Sequence, residues 1–188
     1  MKISEIVKNS ATLLAREDVV KYLSNANEKE VSKETLETVN LLTRLSNLVI
    51  RELAEGLILM EKEVEVSGKT SVKFLELGIE PLDIIAVYGK NGDKLKFNKD
   101  SYGITANGSL IYRIVYSYLP NNYDLNDTIG KFNKPISSSV LAYGVCAEFC
   151  LVEARFDEAF MWNDRYVNGV HAITKPKNGR VKGRNFVW

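Results

Sequence analysis

The chain has 188 residues, of which 45% are hydrophobic and 26% charged, the balance of one soluble globular domain with a sizeable core. No apolar run is long enough to span a membrane, and the opening Met1-Lys2-Ile3-Ser4-Glu5-Ile6 puts acid and polar residues where a secretory signal needs its apolar segment, so a cytoplasmic location is expected. The net charge of +1 hides an asymmetry: five of the 25 basic residues and none of the 24 acidic ones lie in Thr174–Trp188, which leaves residues 1–173 four negative.

In chain order, Ile6, Val7, Leu13 and Leu14 recur at near-helical spacing and predict a short helix from Ile3 to Leu14. Asp18 offers a cap for a brief turn through Val19, Val20 and Leu23, and the polar Ser24 to Glu30 reads as loop. Ser32 starts the clearest helix. Thr35 leaves the reciprocal capping box incomplete, but Glu34 suits the positive helix end. Leu42, Leu45, Val49 and Leu53 form its stripe, widened by Leu41 and Leu48, and Gly56 is a natural stop.

The middle third changes period. Glu61 to Ser67 alternates charge with Val64 and Val66, as a half-exposed strand does. Leu82 to Tyr88 leads into the turn Gly89-Lys90-Asn91-Gly92 and then Lys94 to Phe97. Asn107-Gly108 predicts a second hairpin, between Tyr102–Thr105 and Ser109–Tyr118. Leu110, Tyr112, Ile114, Tyr116 and Tyr118 would share one face there, and Pro120 ends the strand. A small antiparallel sheet inserted between helices is expected.

Leu119 to Pro135 is loop. Ser137, Ser138 and Ser139 can cap a helix over Val140–Ala154 that is apolar nearly all round, so it should be buried on several sides, partly by neighbouring subunits. A following helix carries Phe156, Phe160, Val167 and Val170 as its stripe, with Arg155, Glu158, Asp164 and Arg165 facing elsewhere. The fold class is therefore α+β. Two N-terminal helices (1–57) and a loop with two C-terminal helices (121–173) form a bundle, which holds an inserted β-subdomain (58–120) and releases an extended basic arm (174–188).

Chemical motifs are weak. Gly68-Lys69-Thr70 resembles the end of a phosphate-binding loop, but Glu63 stands where its first glycine belongs and no helix follows, so a hairpin turn is expected. Cys146 and Cys150 are four apart on one helix face, which disfavours a disulfide, and they fall short of a zinc ligand set; they read as buried free thiols. His171 lies near a helix end, where a cation is favourable without a substrate. Asp124-Leu125-Asn126-Asp127 lacks the glycine and closing glutamate of a calcium loop and reads as a turn. Glu148 and Glu153 share no face for a metal. No catalytic, cofactor or metal site is assigned.

The basic tail stands out. Lys175, Lys177, Arg180, Lys182 and Arg184 are spaced by Gly179 and Gly183 and followed by Phe186, Val187 and Trp188. Such a segment is a solvated terminus, an arm that adds to a partner's sheet edge, or a backbone-binding arm for nucleic acid.

Together with this element order, Ser10–Tyr22, Val115-Tyr116-Ser117-Tyr118-Leu119-Pro120 and Leu141–Tyr166 (with Leu141-Ala142-Tyr143-Gly144-Val145-Cys146-Ala147-Glu148-Phe149-Cys150 at its start) resemble the head–tail connector (adaptor) proteins of tailed bacteriophages, in the versions carried by prophages of Gram-positive gut bacteria. Many members lack a β-insertion this large. The resemblance implies a non-enzymatic virion protein of the neck, present in host cytoplasm during assembly. Such proteins form a ring of neighbouring copies, usually a dodecamer, under the portal protein, and join the filled head to a stopper or tail-completion protein while packaged DNA passes through the channel. The acidic body suits such a channel. Carried over, Lys175, Lys177, Arg180, Lys182, Arg184, Phe186, Val187 and Trp188 would be the portal-binding arm. Tyr143, Val145, Phe149 and Phe160 would lie at the subunit interface, and Asn121–Pro135 or the Asn91-Gly92 tip would meet the tail side. No cofactor and no membrane contact are implied. The alternative is a nucleic-acid-binding accessory protein using the same tail, and a third reading is an enzyme with an unfamiliar site.

Overall fold

A computed structural model describes residues 1–24, 31–56 and 58–175. Three helices come first: α1 (Ile3–Leu13), α2 (Glu17–Ser24) and α3 (Lys33–Gly56). A β-rich stretch follows with β1 (Glu61–Lys69), β2 (Ser71–Lys73), the one-turn α4 (Phe74–Leu77), β3 (Asp83–Tyr88), β4 (Phe97–Lys99), β5 (Gly103–Ala106) and β6 (Ile111–Ser117). Helices α5 (Ser138–Val152) and α6 (Phe156–Thr174) complete a mixed α+β fold. Among the described residues no helix is long and apolar enough to cross a membrane.

The brief turn expected after Asp18 is a full helix, α2, and Asp18 lies inside its first turn rather than capping it. Its carboxylate instead accepts hydrogen bonds from the Thr35 hydroxyl at 3.0 Å and from Arg16 at 3.3 Å. Ser32 does cap α3, accepting the Thr35 N–H at 3.1 Å. Thr35, which left the capping box incomplete, uses its hydroxyl to tie α3 to α2. Arg16 adds a bond to the Thr38 hydroxyl at 3.0 Å. On α3, Val39, Leu42, Leu45, Val49, Ile50 and Leu53 are buried, each worth about 1.5–3 kcal/mol in transfer terms. Leu48 is not part of that stripe; it is 41% exposed. Buried positions beyond the expected stripe include Val39, Ser46, Ile50 and Ala54, and the Ser46 hydroxyl donates to the Leu42 carbonyl at 2.8 Å.

Helix α5 is the centre of the bundle. Ser137 caps it by accepting the Val140 N–H at 3.3 Å. As far as Cys150 its apolar residues are covered by α1, α3 and α6 of the same chain, while Leu151 and Val152 at its end are exposed. Close approach is possible because Gly144 faces both partners: a Cβ there would lie 2.9 Å from Val49 Cγ1 and 3.1 Å from the Tyr166 ring.

The stretch after β6 has no regular structure, yet it is packed. Ile129 and Phe132 are buried in the helical core. Leu125 and Asp127 carbonyls accept the Ser4 and Ile3 N–H groups at 2.8 and 3.0 Å, satisfying donors that helix geometry leaves free at the start of α1. Asn47 of α3 holds Tyr123 through both of its backbone polar groups, at 2.7 and 2.9 Å. The Asp124–Asp127 turn closes on itself as expected, Asp127 accepting the Asp124 N–H at 2.8 Å.

The inserted region holds two three-stranded antiparallel sheets, β1-β6-β3 and β2-β5-β4, rather than one. They enclose a core of their own, built from Val66, Val72, Ile84, Val87, Ile104 and Ile114 among others. Strands β5 and β6 belong to different sheets, so Asn107-Gly108 joins sheets and makes no hairpin ladder. Gly68-Lys69-Thr70 is likewise a corner between sheets: β1 carries a bulge between Glu65 and Lys69, and Gly68 takes φ +61° where Tyr112 packs against it. Ile114, Tyr116 and Tyr118 keep the expected face of β6, but the alternation fails at the start of the strand. Ile111, Ile114 and Tyr116 point into the β core, while Leu110 is exposed. The Gly89–Gly92 turn is present, with the Gly89 N–H donating to Asp93 at 2.9 Å, but the strand after it soon leaves for the second sheet.

Two outcomes follow from the bundle. Gly144→Val forces overpacking between α5, α3 and α6 and should lower stability by about 1–3 kcal/mol in urea titration. The Asp18 carboxyl is pushed up by partial desolvation, but hydrogen bonds from Arg16 and Thr35 outweigh this and hold it below the ordinary carboxylate value. Its contribution is therefore present above the unfolded-state pKa and lost as pH falls through the folded-state one. Asp18→Asn should reduce the loss of stability on acidification below the ordinary carboxylate range, measured by melting across pH.

Candidate docking surface

Helices α5 and α6 form a hairpin closed by a left-handed residue. Ala154 takes φ +57°, the Arg155 N–H donates to the Cys150 carbonyl at 2.8 Å, and the Ala154 N–H to Leu151 at 3.1 Å. This is the paired closure that usually selects glycine. Arg155 anchors the turn: its guanidinium lies 3.0 Å from Glu153 and 3.2 Å from Glu158, the first contact being an ion pair without hydrogen-bond alignment.

From the turn, α6 packs through Ala159, Trp162, Tyr166, Val170 and Ile173, at helical spacing. The Trp162 ring stacks on Tyr143 of α5 with centroids 5.9 Å apart, and the Arg165 guanidinium lies 4.9 Å from the Trp162 ring. Beside them, Cys146 and Cys150 are free and buried. Burial, with the neighbouring thiol, pushes the Cys146 pKa up to about 12, and burial raises that of Cys150 as well. They are core thiols, and Cys146 makes a long contact, 3.7 Å, to the Ser10 carbonyl. Tyr166 is raised by burial and then by the carboxylates of Glu52 and Glu148. The Glu52 carboxyl is raised by burial and by Glu148 and Glu55.

The stripe expected to face the core points elsewhere. Phe156 is 66% exposed and Phe160 78%, and Val167 is exposed with them, whereas Val170 is buried. At 100° per residue, Phe156, Phe160 and Val167 fall within about 40° around the axis, roughly a quarter turn from the packed stripe. Helix α6 thus carries two apolar stripes, and the one containing Ala159 and Trp162 meets α5. Leu151 and Val152 are exposed at the same closed end of the hairpin. Phe160 is flanked on its own helix by exposed Asp157 and Asp164, three residues before and four after. A contiguous apolar surface rimmed by charge is the form interaction sites take.

Of the four residues assigned to a subunit interface, Val145 and Phe149 are enclosed by their own chain, Tyr143 is half-buried against Trp162, and Phe160 is fully presented. Lys175 is exposed just beyond α6; Lys177, Arg180, Lys182, Arg184, Phe186, Val187 and Trp188 lie outside the described residues. His171 is exposed in the last turn of α6. Leu151, Val152, Phe156 and Met161 were not assigned to a surface from sequence; the signal was the presence of more large apolar residues over 151–162 than one helix face can bury. A second surface feature is the groove between α3 and the loop after β6, where Arg44 and Arg51 stand with Asn40, Asn47 and Asp124. No protein-family model matches the chain, and no curated protein matches it.

The two stripes separate by mutation. Phe160→Ser should change stability by no more than about 0.5 kcal/mol. Trp162→Ala should cost about 3–5 kcal/mol in the same denaturant titration.

Proposed function

We propose that this chain is a head–tail connector of a tailed bacteriophage, a non-catalytic ring component that sits under the portal protein and joins the DNA-filled head to the tail. The observation that carries the reading is the exposed Phe156–Phe160–Val167 stripe on an otherwise closed bundle, followed directly by a basic segment with Phe186 and Trp188. A large exposed apolar stripe marks an interaction surface, and a subunit in a ring can cover it on assembly. The stretches that resemble connectors are the α1–α2 corner, the end of β6 and the α5–α6 hairpin, which are the parts that set the shape of the bundle. In this reading the basic segment orders on the portal, the ordering cost being offset by burial of its apolar residues and by charge pairing. The inserted β region has a core of its own, and its Asn91-Gly92 turn is exposed.

A second reading, a nucleic-acid-binding accessory protein, draws on the same segment and on the exposed Arg44 and Arg51 of α3. Mass measurement of the purified chain, alone and mixed with portal rings from the same genome, separates the two. The connector reading expects a chain that assembles into a ring on the portal, and a version lacking residues 175–188 that stays folded but does not join filled heads. A chain that ignores portal and shifts DNA at low salt, with affinity falling steeply as salt rises, would replace it with the second reading.

A further inference from the structure

Two features of this chain match each other in chemistry. One is the α6 stripe, large and apolar, with the exposed carboxylates of Asp157 and Asp164 along one border. The other is the segment 176–188, which holds Lys177, Arg180, Lys182 and Arg184, no acid, and the apolar Phe186, Val187 and Trp188. We infer that in the free chain this segment turns back along α6 and covers the stripe, its basic residues passing the two aspartates and its aromatic residues reaching Phe160, Phe156 and the closed end of the hairpin.

The lengths agree. From Lys175 back to Phe156 the helix rises about 28 Å at 1.5 Å per residue. Phe186 is 11 residues beyond Lys175, about 36 Å of extended chain at 3.3 Å per residue. A reversal using roughly two or three residues leaves about 26–30 Å, which brings Phe186 level with Phe156. Trp188 then reaches Leu151 and Val152, which are exposed at that end. Lys182 and Arg184 fall between Val167 and Phe160, the interval that contains Asp164. Tethering favours this occupant over a second copy, because a short linker holds the segment at an effective concentration of about a millimolar. The inference goes beyond the connector reading and stands without it, since it concerns the chain alone.

Limited trypsin digestion of the full chain tests it, because Lys177, Arg180, Lys182 and Arg184 are all cleavage sites. Cleavage of a transiently opened segment follows the open population. The expected result is tail cleavage about tenfold slower in the wild type than in Phe156→Ser/Phe160→Ser. Asp157→Asn/Asp164→Asn, which keeps the apolar stripe, should fall between them; unchanged helical circular dichroism of both variants at the digestion temperature checks that the bundle is intact, while loss of the bound tail should lower their melting slightly. Equal cleavage rates in all three proteins would overturn the inference. Protection that disappears on tenfold dilution would also overturn it, by giving the stripe to a second copy.

Discussion

Everything in the helical part depends on how closely three helices can press on α5. An almost wholly apolar helix is stable in water only when it is enclosed, and a chain of this size has few elements with which to enclose it. The solution rests on Gly144, where α3 and α6 approach so nearly that a methyl group has no room. With that crossing fixed, α1 closes a third side and the hydroxyl of Ser10 stays satisfied by the Ile6 carbonyl at 2.9 Å. The path of the later loop follows as well, because it has to supply the carbonyls that receive the first N–H groups of α1.

The same enclosure explains the exposed face of α6. Only one side of that helix can meet α5, and the side with small Ala159 beside flat Trp162 packs more closely than the side with Phe156 and Phe160. Phe156, Phe160 and Val167 are consequently left outside. Selection by fit rather than by hydrophobicity puts a binding-type surface on a helix whose sequence reads as ordinary core.

Much of the organisation was legible from residue spacing. The extents of α1 and α3, a serine cap ahead of α5, the free thiols and the Asp124 turn follow from local rules that tertiary contacts leave alone. The misreadings share another cause. Asp18 and Thr35 have side chains that can cap their own helix or bond a neighbouring one, and only the packing of α2 on α3 decides between them. Asn107-Gly108 has the composition of a hairpin, but composition says nothing about whether the flanking strands pair with each other. Along α6, two apolar stripes a quarter turn apart satisfy the same period, so spacing cannot rank them. At the start of β6 Ile111 is buried in place of Leu110, a slip that a strict alternation cannot register.

The way the β sandwich joins the bundle has an architectural consequence. Its entry and exit run side by side: Glu61 pairs with Ser117, and the Tyr118 N–H donates to the Met60 carbonyl at 3.1 Å. Two adjacent antiparallel strands form the neck, and the sandwich beyond it has a core distinct from that of the helices. The insertion is therefore a cassette. Its length and shape can change, or the neck can be closed by a tight turn, while the helices keep their connections, so the bundle and the module it carries are free to diversify at different rates.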